Sequence, residues 1–129
     1  MRKVVRSSDV PQPRGPYSPA IVADGFVFVA GQACVNPQTN EMEYGDVQSE
    51  TRRTLQNIRT ILEAAGSSLK EVVRVGVFLA DMNDFAAMNE VYKQFFPENQ
   101  PARTTVGAQL PKIKVEIDCI ARVSKRHRK

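Results

Sequence analysis

The chain has 129 residues, 42% hydrophobic and 25% charged, proportions that suit one globular domain and exclude wholesale disorder. Its 18 basic and 14 acidic residues give a net charge of +4, and four of the bases (Lys125, Arg126, Arg128, Lys129) stand in the last five residues. The body is therefore formally neutral, which predicts a single domain over 1–123 with a basic tail over 124–129 and argues against a nucleic-acid surface on the domain itself. No apolar run approaches the ~20 residues that cross a bilayer, and MRKVVRSSDV lacks the apolar stretch of a secretory signal. Two cysteines and one histidine are too few for a disulfide scaffold or a Cys/His metal cluster, and His127, within the terminal charged run, is badly placed as a positioned base.

In chain order, residues 2–6 suit a short strand, and 7–19, with four prolines and a glycine, a stiff extended loop. AIVAD and FVFVAGQ are joined by Asp24-Gly25, a tight-hairpin dipeptide, and residues 36–40 form another turn. Residues 47–65 place Val47, Leu55, Ile58, Ile61, Leu62 and Ala65 at helical spacing, with Asp46 to cap the start and Gly66 to close the end. Glu50, Arg52, Arg53, Arg59 and Glu63 are expected mostly on the other, solvated side. The valine-rich segment 71–80 reads as a buried strand in which Gly76 marks a bulge or a close approach. A second helix over 84–96 carries a core stripe of Phe85, Met88, Val91, Tyr92 and Phe95, and Pro97 stops it.

Two strands, 102–107 and 112–123, complete the pattern. In the latter, Ile113, Val115, Ile117, Cys119, Ala121 and Val123 alternate with Lys112, Lys114, Glu116, Asp118 and Arg122. This order predicts an α+β layer, two helices on one face of a mixed sheet. The other face, charged but carrying Ile120, is either solvated or buried against a second copy.

Arg103 and Thr105 share one side of their strand, and Glu116 stands on the polar side of the next. An arginine fork grips a carboxylate bidentately, and a glutamate near it can position a water or relay a proton. The competing reading is a cross-strand ion pair, the commoner fate of an Arg and a Glu on neighbouring strands. Tyr17, in the turn Gly15-Pro16-Tyr17-Ser18-Pro19, either offers its hydroxyl to a pocket or anchors its loop. Gly31 lets a backbone or a ligand come close and exposes an N–H. Cys34 and Cys119 read as structural thiols in a reducing compartment.

Gly15-Pro16-Tyr17-Ser18, Phe26–Gln32, Asn83-Asp84-Phe85, Asn89-Glu90-Val91-Tyr92, Pro101-Ala102-Arg103 and Val115-Glu116-Ile117 together resemble the RidA/YjgF family, in order and at the expected spacing over residues 2–123. The resemblance implies a chorismate-mutase-like fold, a homotrimer with ligand clefts between subunits, and a cytoplasmic enzyme without metal or cofactor. It further implies a 2-iminobutanoate/2-iminopropanoate deaminase, hydrolysing enamine and imine acids released by pyridoxal-phosphate enzymes to 2-oxo acids and ammonia. By similarity Arg103 clamps the substrate carboxylate, the Gly31 N–H adds to that contact, Glu116 holds the attacking water, and Tyr17 shapes the pocket. Thr105 stands where the family commonly has cysteine and Ala30 where it commonly has serine. Two other readings remain: a regulatory trimer that binds small 2-oxo or amino acids without turnover, and RNA cleavage or translational inhibition, which only the tail supports.

Overall fold

The computed structural model describes residues 1–124, so the basic tail, apart from Ser124, lies outside the described residues. Six strands and two main helices form: β1 (Lys3–Val4), β2 (Ala20–Ala23), β3 (Phe26–Gln32), α1 (Val47–Ala64), β4 (Val72–Leu79), α2 (Phe85–Phe95), β5 (Ala102–Gly107) and β6 (Val115–Arg122). The strands make one sheet in the order β1-β2-β3-β6-β4-β5. β4 and β5 run parallel and the other neighbouring pairs antiparallel.

Local chemistry accounts for most boundaries. The β2–β3 hairpin closes through Asp24 and Gly25, with φ of 53° and 80°, the pair of positive values that a tight two-residue turn demands. Asp46 caps α1 by accepting the Ser49 N–H at 2.8 Å, and Gly66 ends it at φ 80°, where a side chain would be strained. The last strand begins later than its alternation suggests. Lys112 sits at φ 70°, which breaks the extended backbone, although Ile113 is still buried.

Both helices cover one face of the sheet. Leu55, Ile58, Ile61 and Leu62 of α1 and Met88 and Tyr92 of α2 pack with Val27, Val29, Val75, Val77, Ile117 and Cys119 in one core. Val5, just after β1, and Val10, from the proline-rich segment, are buried there too, so that loop is pinned to the core. The opposite face is uncovered within the chain and carries Phe26 and Phe28, 37% and 43% exposed.

One expectation about α1 fails. Glu50 is completely buried, because its carboxylate reaches two backbone amides that a solvated glutamate could not satisfy. A second buried polar residue, Asn57, donates from its amide to the carbonyls of Ala33 and Val35 at 3.2 and 2.7 Å, tying the segment after β3 to the helix. Asn57→Ala strands both acceptors and is expected to cost about 2–4 kcal/mol, read as a lower urea midpoint at fixed chain concentration.

Candidate active site

Alternation and strand order decide where the candidate residues go. Val75 pairs with Arg103 and Val77 with Thr105, so both polar side chains share the helix-covered face of the sheet. Phe78 pairs with Glu116, which places the glutamate on the uncovered face. β4 also lies between β5 and β6. The cross-strand ion pair weighed from the sequence therefore cannot form: the strands are not neighbours, and the two side chains point to opposite faces.

Glu116 and Gly31 are in contact. Val29 pairs with Cys119 and Gln32 with Ile117, leaving Ala30 and Gly31 opposite Asp118 alone, a β-bulge that turns the end of β3 out of the ladder. A Cβ built on Gly31 would collide with the Glu116 carboxyl group, lying 2.9 Å from its Cδ, so only glycine permits this approach. Tyr17, Gly31 and Glu116 line one cleft of about 220 Å³, walled also by Ile113 and Met42. The Tyr17 hydroxyl accepts the Arg14 N–H at 3.3 Å, and its ring is half exposed. Burial first, and then the charge of Asp118, raise the pKa of Glu116 above its ordinary value of 4.5. Asp118 is itself 3.9 Å from the guanidinium of Arg74.

Arg103 occupies a second cleft of about 330 Å³, with Asn89, Tyr92, Phe96, Gln100 and Pro101, which shares no lining residue with the first. Its guanidinium carbon sits 4.6 Å from the Tyr92 ring centroid and 5.6 Å from that of Phe85, within cation–π range. Among the described residues it makes no salt bridge, so its fork is free for an acid. Tyr92 is buried as expected, whereas Phe85 is 41% exposed and belongs to the cleft rim more than to the core. Asn89 Oδ1 and the Tyr92 hydroxyl are buried without a hydrogen-bond partner among the described residues. Both border this cleft. Burial pushes the Tyr92 phenol up to about 12, against the pull of the Arg103 charge. Thr105 is half-buried one pleat beyond Arg103.

The fold thus brings Tyr17, Gly31 and Glu116 together and sets Arg103 and Thr105 apart from them. Sequence reasoning missed the aromatic seat of Arg103, whose signal was the helical spacing of Phe85 and Tyr92, and also Glu50, which carries no such signal. Cys34 and Cys119 are buried and unpaired, with thiols that burial pushes up to about 11 and about 12. Among the described residues no group of His, Cys, Asp and Glu could hold a metal ion, and no helix is long and apolar enough to cross a membrane.

This α+β fold is that of a known class. The model of the family described as Endoribonuclease L-PSP matches residues 7–123. A RutC family protein of Pyrococcus horikoshii is 50% identical over 123 residues, spanning 94% of this chain and 98% of its own. A 2-iminobutanoate/2-iminopropanoate deaminase of Dermatophagoides farinae is 40% identical over 92% of this chain and 94% of its own. The solved structure of Escherichia coli TdcF with bound serine superposes with a TM-score of 0.86 at 42% identity, over 95% of this chain and 99% of that one. The chain belongs to the Endoribonuclease L-PSP family, the YjgF/RidA family that its motifs resemble.

A carboxyl group whose pKa rises on folding stabilises the fold only while protonated: that stability is complete below the unfolded value and lost as pH climbs through the folded one. Glu116→Gln is therefore expected to raise the melting temperature at pH 7 and to leave it unchanged at pH 3, measured by thermal unfolding at both pH values.

Proposed function

We propose that the chain is an imine and enamine deaminase acting on small 2-imino acids, with each site assembled from two copies of the chain. The observation that carries this reading is the separation just described: an unpaired arginine fork in one cleft and a raised-pKa glutamate against a glycine bulge in another, on opposite faces of one sheet. A second copy laid against the uncovered face would bring the Glu116 cleft of one subunit to the Arg103 cleft of the next. The apolar part of that face, with Phe26 and Phe28 exposed, supports such burial, and a closed trimer is the arrangement proposed.

The chemistry needs little more than these groups. Arg103, over the Tyr92 ring, binds the substrate carboxylate bidentately, and the Gly31 N–H adds a donor. Glu116 accepts a hydrogen bond from water and aims the water oxygen at the C=N carbon. Water adds to the C=N carbon while one of its protons passes through the Glu116 carboxylate to nitrogen, giving a carbinolamine. The hydroxyl proton then follows by the same carboxylate to nitrogen as the C=O forms and the C–N bond breaks, releasing a 2-oxo acid and ammonia. Tyr17 closes the cleft wall. No nucleophilic side chain enters the sequence, which fits two buried, weakly acidic thiols. Two relatives bear on the substrate class: the mite protein is named for 2-iminobutanoate and 2-iminopropanoate, and TdcF was solved holding serine. Binding of an amino acid without turnover is the second reading, supported by that serine complex and by Ala30 and Thr105, which depart from the family's common residues. RNA cleavage, the activity in the family model's description, draws no support from a body whose charges balance.

The test couples a threonine or serine dehydratase to this protein and follows 2-oxo acid appearance. Arg103→Ala is expected to lose about 10–150-fold in kcat/KM, the worth of a charge-assisted bond. The rate should fall on the acid side with a midpoint above 4.5, as Glu116 takes up its proton. An unaccelerated imine, with ligand-induced thermal stabilisation that still depends on Arg103, would leave the binding-only reading instead.

A further inference from the structure

We infer that Glu50, on α1 and outside both clefts, is the positioning residue that sets Glu116 in place. The inference rests on the reading of Glu116 as the group that steers water. Glu50 is a carboxylate with no solvent exposure, a costly burial unless its oxygens are fully engaged. They are engaged by the backbone of two different segments. One oxygen, Oε1, accepts the Lys114 N–H at 2.7 Å. The other, Oε2, accepts the Gly45 N–H at 3.1 Å and lies 3.7 Å from the Lys114 ammonium.

These partners flank the Glu116 cleft. Lys114 is the residue immediately before β6, and Glu116 follows two positions later on the same strand. The Lys114 carbonyl also accepts the Ala80 N–H at 3.0 Å, so residue 114 is held through both its amide and its carbonyl. Ile113, just before Lys114, lines the cleft, as do Val35 and Met42 from the segment that runs on to Gly45. That segment is anchored at its start by Asn57 and at its end by Glu50. Two buried polar side chains of one helix thus fix the strand that carries the glutamate and the wall that faces it. A leucine at position 50 would fill the same space, but it would leave two buried amides unpaired. A glutamine has a single acceptor oxygen for them.

The test uses Glu50→Gln in the intact oligomer, with two readouts: steady-state kinetics in the coupled assay and the Glu116 carboxyl titration by carbon NMR. The charged and titratable groups that face Glu116 are Asp118 on its own strand, whose charge acts on it, and Arg14 and Tyr17 of the N-terminal loop, which line its cleft, and none is altered by the substitution. The expected result is a kcat about tenfold lower with KM within about twofold, because the Arg103 cleft is untouched. The Glu116 titration should move down toward the ordinary value as the loosened strand end admits water. Lys114→Met, which removes the ammonium and keeps the amide contact, should stay near the parent in both readouts. A folded Glu50→Gln with parental kcat and an unmoved Glu116 titration would overturn the inference. If that variant does not fold, Glu50→Asp, one methylene too short to reach both amides, is read in the same way. If the parent shows no deaminase activity, the functional reading falls, and the titration alone still decides the role of Glu50.

Discussion

Successive side chains of a β-strand point to opposite faces, and in this sheet β4 separates β5 from β6. Those two facts place Arg103 with the helices and Glu116 on the open side, and no rotamer choice can reunite them within one chain. The arrangement of each cleft follows from this constraint. On the helix side, α2 supplies Tyr92 and Phe85 as an aromatic seat for a cation. On the open side, a bulge at Gly31 clears the space that the Glu116 carboxyl group fills. In the proposed reading each half is shaped for one task, holding an acid or directing water, and proximity between them comes from association.

The energetics of the glutamate half run against stability at neutral pH. Burial and the neighbouring Asp118 raise the Glu116 pKa, so the carboxylate at neutral pH is less well solvated than it would be in an unfolded chain. Such a group is a better proton acceptor for that reason. Polar groups nearby are spent on holding the frame: Glu50 and Asn57 satisfy backbone amides and carbonyls of the cleft walls. The arginine half differs. Its cation rests over aromatic faces, which hold it without neutralising its charge.

Much of the frame was legible in the sequence, because it rests on local chemistry. Asp24-Gly25, Asp46, Gly66 and Pro97 each mark a boundary, and the alternation from Val115 to Arg122 names the buried face. The separation of Arg103 from Glu116 was not legible, since strand order is a long-range property and residues 102–107 and 112–123 adjoin in sequence. The bulge was equally hidden: Gly31 signalled close approach, but the register shift that turns it toward Glu116 depends on pairing with β6. Glu50 was misread because helical spacing alone cannot reveal that a turn and a strand end would each present an unpaired amide to it. The motifs that resemble the family did name Tyr17, Gly31, Arg103 and Glu116, and three of these four meet in one cleft.

A complementation experiment tests the shared site most directly. Chains carrying Arg103→Ala and chains carrying Glu116→Gln are purified separately, each nearly inactive in the dehydratase-coupled assay, then unfolded together and refolded as a mixture. If each site takes its arginine from one copy and its glutamate from the next, random assortment gives about a quarter of the sites both intact groups, and that fraction of parental activity returns. A mixed preparation that assembles normally yet remains as inactive as its two components would contradict a site built between copies.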